Sequence, residues 1–155
     1  KRSQLAEEAL ADMARADAPV VWLPGARQLV ETLSAGGARW AVATSGNTLL
    51  ATSSMRKAGM APPPVFLTSD DVSVGKPDPE PYLRAAELLE VAPTDCVVIE
   101  DAPAGVASGL AAGATVIGVT HTYDASILAG ANPLVDALPQ VSVDPDTRQI
   151  TLYLA

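Results

Sequence analysis

Apolar residues along the chain fall into two alternating rhythms: short unbroken runs suited to buried strands, and stretches with an apolar position every three or four residues suited to amphipathic helices. Leu5, Ala6, Ala9, Leu10 and Met13 share one face of a helix expected over residues 2–17. Pro24 opens a second helix, whose stripe of Ala26, Leu29, Val30 and Leu33 stops near Ala35 at Gly36-Gly37. The reading then alternates: strand 39–44, helix 47–58, strand 65–68, helix 79–90, strand 96–100, helix 103–112, strand 115–119. Cys96, Val97, Val98 and Ile99 form a run expected to be buried on both faces, as strands of a parallel sheet are. After His121 the rhythm weakens to a short helix near Ala125–Ala129 and a terminal hairpin, with Gln140–Val143 half-buried and Asp144-Pro145-Asp146 as a turn. Such alternation predicts the α/β class with a doubly wound parallel sheet.

Open sheets of this class bind ligands beyond the carboxyl ends of their strands, and three polar segments fall there. Thr44, Ser45 and Gly46 put a hydroxyl at a strand end and free amides at a helix start, a good phosphate cradle. A Ser/Thr cap is the plainer alternative. Lys76 lies between Gly75 and Pro77 in a short loop joining two strand–helix units, which suits a fixed positive charge aimed at an anion. A solvated lysine is the commoner use of that residue. Glu100 and Asp101 end a strand just before the turn Ala102-Pro103-Ala104-Gly105, where an acid pair serves either a metal or the start of the following helix.

A net charge of −8 argues against nucleic acid or an anionic membrane surface as partner, and no uninterrupted apolar run approaches a membrane span. The single cysteine, Cys96, excludes an intrachain disulfide and fits a reducing compartment, so a cytoplasmic location is expected. His121, the only histidine, reads as a loop or surface residue. No Gly-x-Gly-x-x-Gly follows any strand, which sets aside a dinucleotide site; Gly105, Gly109 and Gly113 read as packing and capping glycines.

In order, WAVATSG (Trp40 to Gly46), GKPDPEPY (Gly75 to Tyr82) and IEDAPAGVASGLAAG (Ile99 to Gly113) resemble the second, third and fourth motif regions of the haloacid dehalogenase superfamily of phosphatases and phosphomutases. The wording is similar to its glycerol-3-phosphatase and 2-deoxyglucose-6-phosphatase group, from about Leu23 to about Ala137. The resemblance implies a Rossmann-like core in which Thr44 and Lys76 hold a transferring phosphoryl group. It further implies that Glu100 and Asp101 hold Mg²⁺ directly or through water. The family's first motif, an Asp-x-Asp-Gly-Thr/Val segment carrying the nucleophile, is missing. The only Asp-x-Asp is Asp144 to Asp146, followed by Thr147 and Arg148 with no Gly, and it reads as a turn.

With a start at Lys1 rather than Met, the expectation is a C-terminal portion of a longer protein: residues 1–17 as the last helix of a truncated cap, and 18–155 as the core without its first strand. The implied function is Mg²⁺-dependent hydrolysis of a small sugar or polyol phosphate through a phospho-aspartyl enzyme. This chain alone is then expected to be inactive, with an N-terminal fragment bearing the nucleophile as its partner. The alternatives are a mutase of the β-phosphoglucomutase type and a non-catalytic fragment or pseudoenzyme. A dehalogenase proper would leave the acid pair idle. In the resembled topology the nucleophile strand separates the strands ending at Thr44 and Glu100. Those two should therefore not pair, while Thr44, Lys76, Glu100 and Asp101 should converge at one edge.

Overall fold

A computed structural model of the chain describes residues 19–154, so the helix expected over 2–17, with its reading as the end of a cap, lies outside the described residues. The elements run α1 (Ala26–Ala35), β1 (Ala41–Ala43), α2 (Thr48–Ala58), β2 (Val65–Leu67), α3 (Glu80–Leu89), β3 (Val97–Glu100), α4 (Pro103–Ala111), β4 (Thr115–Val119), β5 (Leu134–Val135), β6 (Gln140–Val143) and β7 (Ile150–Tyr153). Local chemistry explains several of their ends. The Asn47 side chain accepts the Leu50 amide to start α2, and Gly59, at φ 67, turns the chain out of it. Pro103 occupies the first turn of α4, where a missing N–H costs nothing.

The class is α/β with parallel pairing. β1 pairs with β2 in parallel, β3, β4 and β5 form a parallel three-stranded sheet, and β6 and β7 make an antiparallel hairpin. The doubly wound sheet is thus in two pieces, because β1 and β3 are not hydrogen-bonded to one another. One core lies between the three-stranded sheet and α4, built on Val98, Val106, Val116 and the fully buried Leu128. α4 approaches closely because it is made of small residues: a Cβ on Gly109 would sit 2.8 Å from Val116 Cγ2. The second core packs Leu33 and Trp40 against Val141, Val143 and Ile150 of the hairpin.

Several expectations are corrected. β3 is buried on one face only: Val98 and Glu100 turn under α4, while Val97 alternates to the uncovered side and is 46% exposed. Cys96 precedes the strand, closing a short 3-10 turn over Pro93–Asp95, and is partly exposed rather than central. Pro24 lies in the turn before α1, since Gly25 at φ 82 breaks the helical path between them. Residues 125–129 form turns, not a helix: the Ile127 and Leu128 amides reach back only to Asp124 and Ala125, and Gly130 at φ 97 redirects the chain before a second turn can close. β5, two residues long, carries no periodicity and was invisible in the sequence pattern. The hairpin stands where expected, its turn made by Asp144 Oδ1 accepting the amides of Asp146 and Thr147.

Candidate active site

Lys76 joins the two pieces of sheet. Its Nζ donates to the Ala43 carbonyl at the end of β1 (2.9 Å) and to Glu100 Oε1 at the end of β3 (2.5 Å). Both side chains of this ion pair are only 9% exposed. An ammonium has three donors, so one remains for a further acceptor.

The loop that carries Lys76 is braced on both sides. The Glu80 carboxylate accepts the amides of Ser73 (2.7 Å) and Val74 (2.8 Å), which hold its pKa below the ordinary carboxylate range. From α4, the fully buried Ser108 Oγ donates to the Asp78 carbonyl at 2.6 Å. Sequence therefore places Lys76 between glycine and proline, and the two anchors convert that short loop into a fixed support.

Glu100 is confined further. The Tyr82 hydroxyl, from the first turns of α3, donates to the same Oε1 that receives Lys76. The Tyr82 ring lies beneath the ammonium, with Nζ 4.8 Å from its centroid. Burial, reinforced by the Glu100 charge, pushes the Tyr82 phenol well above its ordinary pKa, so it stays a donor. α4 presents Gly105 to the same carboxylate, where a Cβ would fall 2.1 Å from Glu100 Oε2. Asp101 is more open, and its Oδ2 accepts the Thr122 hydroxyl at 2.5 Å.

Thr44 follows β1, its amide continuing the ladder to Leu67 O at 2.9 Å. The loop after it is less free than its sequence suggests. Gly46 N donates to Thr44 Oγ1 (3.1 Å), Thr48 N to Asp70 Oδ2 (2.9 Å) and Leu50 N to Asn47 Oδ1 (2.9 Å). The amides of Ser45 and Asn47 are left without a protein partner among the described residues. Ser69 N donates to Gly46 O at 3.0 Å and ties this loop to the end of β2.

Of the residues the sequence singled out, Lys76 and Glu100 touch, Thr44 adjoins the Ala43 carbonyl that Lys76 binds, and Asp101 follows Glu100 at the same sheet edge. Ser45 is exposed in the loop, and Gly46 offers its amide to Thr44. His121 is exposed in a turn. Sequence reasoning missed Tyr82, Thr122 and Asp70. Tyr82 carried one signal, a polar tip on the face of α3 whose other members, Ala85 and Ala86, are buried; the other two lie in loops with no pattern. Among the described residues no three His, Cys, Asp or Glu side chains cluster. The acid pair offers only oxygen donors, a set that fits Mg²⁺, which takes one or two carboxylates and keeps water or phosphate for the rest.

Residues 2–113, most of the chain, match the family described as haloacid dehalogenase-like hydrolase. The chain belongs to this family. Hexitol phosphatase A of Escherichia coli (strain K12) is 46% identical to this haloacid dehalogenase-like chain over 121 residues, 78% of this chain and 56% of its own length. Glycerol-1-phosphate phosphohydrolase 2 of Saccharomyces cerevisiae is 41% identical over 114 residues, 68% of this chain and 46% of its own. The chain spans about half the length of the curated relatives it matches. Among solved structures, CbbY of Rhodobacter sphaeroides in complex with xylulose-(1,5)bisphosphate aligns with a TM-score of 0.74 at 29% identity, over 84% of this chain and 60% of that one.

Proposed function

We propose that this haloacid dehalogenase-like chain carries the phosphate- and metal-binding part of a Mg²⁺-dependent hydrolase of small sugar or polyol phosphates. The observation that carries this reading is the Lys76 bridge, which fixes one positive charge between the ends of β1 and β3 with a donor to spare. Lys76 neutralises and orients a phosphoryl oxygen, while Thr44 and the amides of Ser45 and Asn47 hold the others. Glu100 and Asp101 hold Mg²⁺ directly or through water, and the ion, when bound, supplies further charge neutralisation at the phosphoryl oxygens. The two relatives named above act, by their names, on a hexitol phosphate and on glycerol-1-phosphate, which supports a small polyol or sugar phosphate as substrate.

The nucleophile is an aspartate on a strand that pairs between β1 and β3 and is contributed by an N-terminal segment. That strand gives the unpaired edges partners and aims its carboxylate at phosphorus for in-line attack. The aspartyl O–P bond forms as the P–O bond to the sugar or polyol breaks, the alcohol leaves with a proton from water, and a second water hydrolyses the phospho-aspartyl enzyme to release inorganic phosphate. A reducing cytoplasm suits the lone Cys96 thiol.

The test uses full-length protein with a hexitol phosphate and glycerol-1-phosphate, following inorganic phosphate release with Mg²⁺ and with chelator. Chelator-sensitive release is expected, and residues 1–155 alone should not hydrolyse para-nitrophenyl phosphate. Isomerised sugar phosphate without release would point instead to a mutase. Turnover by residues 1–155 alone would show that the nucleophile lies within this chain.

A further inference from the structure

We propose that Tyr82 is a positioning residue of this site, fixing the Glu100 carboxylate and the Lys76 ammonium relative to each other through its hydroxyl and its ring. The inference rests on the phosphatase reading above. Two donors, Lys76 Nζ and the Tyr82 hydroxyl, converge on Glu100 Oε1. An ion pair left alone would orient by its own attraction, with the ammonium free to swing across both carboxylate oxygens. The phenol occupies one approach to Oε1, and the ring fills the space beneath the ammonium at 4.8 Å. Lys76 is thereby kept on the side where Ala43 O takes its second donor and the third is left over. Gly105 of α4 abuts the same carboxylate, with no room there even for a Cβ, so the seat of Glu100 is bounded by α4 as well as by Tyr82 and Lys76.

Tyr82 belongs to α3, which is held at its start by the Glu80 carboxylate bonds to the amides of Ser73 and Val74. The seat and the Lys76 loop are therefore set by one rigid element. A hydroxyl that orients a metal-side carboxylate acts on affinity and rate together, with a typical cost of about 10-fold when removed.

The experiment compares wild type, Tyr82→Phe and Tyr82→Met in the full-length protein. Tyr82→Phe keeps ring and volume and removes only the donor; Tyr82→Met keeps bulk and removes the ring as well. Four quantities are read: kcat and KM for the phosphomonoester, Mg²⁺ affinity by titration calorimetry, and Tm on the same samples. Expected for Tyr82→Phe are a fall in kcat and in Mg²⁺ affinity of about 10-fold each, with KM within about twofold. Tyr82→Met should lose more of both, because the ammonium is then unsupported. A wild type that turns over, beside variants with unchanged kcat and Mg²⁺ affinity per folded molecule, overturns the positioning role even if Tm falls. A wild type without Mg²⁺-dependent turnover overturns the phosphatase reading itself, and this inference with it.

Discussion

Gly105→Ala is the sharpest probe of how the site is built. In an unconstrained helix this change stabilises by up to about 1 kcal/mol, since alanine is the better helix former. Here the added Cβ would stand 2.0 Å from Glu100 Cδ and 2.1 and 2.2 Å from its two oxygens, well inside contact distance. Glu100 is 9% exposed and hydrogen-bonded to both Lys76 and Tyr82, so it cannot swing aside without breaking those bonds. Each hydrogen bond to a charged group is worth about 1.5–3 kcal/mol, and losing both outweighs the helical gain by roughly 2–5 kcal/mol. For a domain of this size that is a fall in Tm of roughly 4–20 °C, at about 2–4 °C per kcal/mol. Differential scanning calorimetry reads the stability. Phosphate release by the full-length variant reads the site, where a loss of more than about 10-fold is expected because the acid pair has been displaced. A Gly105→Ala protein as stable and as active as wild type would refute the packing of Glu100 against α4.

In the full-length protein, Lys76→Ala should lower kcat by on the order of 10² by removing a fixed charge from a largely desolvated position; steady-state kinetics with unchanged kcat would reduce Lys76 to a structural tie. Asp101→Asn should abolish most turnover and raise the Mg²⁺ concentration needed for half-maximal rate, and a Mg²⁺ titration matching wild type would remove Asp101 from the metal site. Glu80 has a folded pKa below its ordinary 4.5, set by the Ser73 and Val74 amides. Its contribution is therefore present above that value and lost as pH falls through the folded pKa. NMR titration of the Glu80 carboxyl should give a midpoint below 4.5, and a midpoint at or above it would mean the Lys76 loop is not held in this way.

Much of the element order was legible because it rests on local physics. The stripe Ala26, Leu29, Val30 and Leu33 needs only the helical repeat to be recognised, and Val97 to Glu100 needs only an unbroken apolar run before two acids. The placement of Thr44, Lys76, Glu100 and Asp101 was legible for a related reason: Thr44 follows β1, Lys76 lies in the loop after β2, Glu100 ends β3 with Asp101 next to it, and parallel strands bring their following loops to one edge. The failures have local causes too. Residues 125–129 have helical composition but too little length before Gly130 to close further turns, and β5 is too short to show a period.

Sequence by itself determined that polar groups would gather at the carboxyl ends of the strands, because strand direction and loop position are properties of consecutive residues. Tertiary structure alone decided which of them touch. Lys76 reaches Glu100 and Ala43, respectively 24 and 33 residues away, only because α3 and its braced loop span the two pieces of sheet. The same packing draws Tyr82 into the site and sets Gly105 under a carboxylate, and the approach of the loop after β2 takes up the Thr48 amide through Asp70. Such contacts depend on the distance between elements, which side-chain volumes at Gly105, Gly109 and their neighbours set jointly, and no periodicity along one segment encodes that distance.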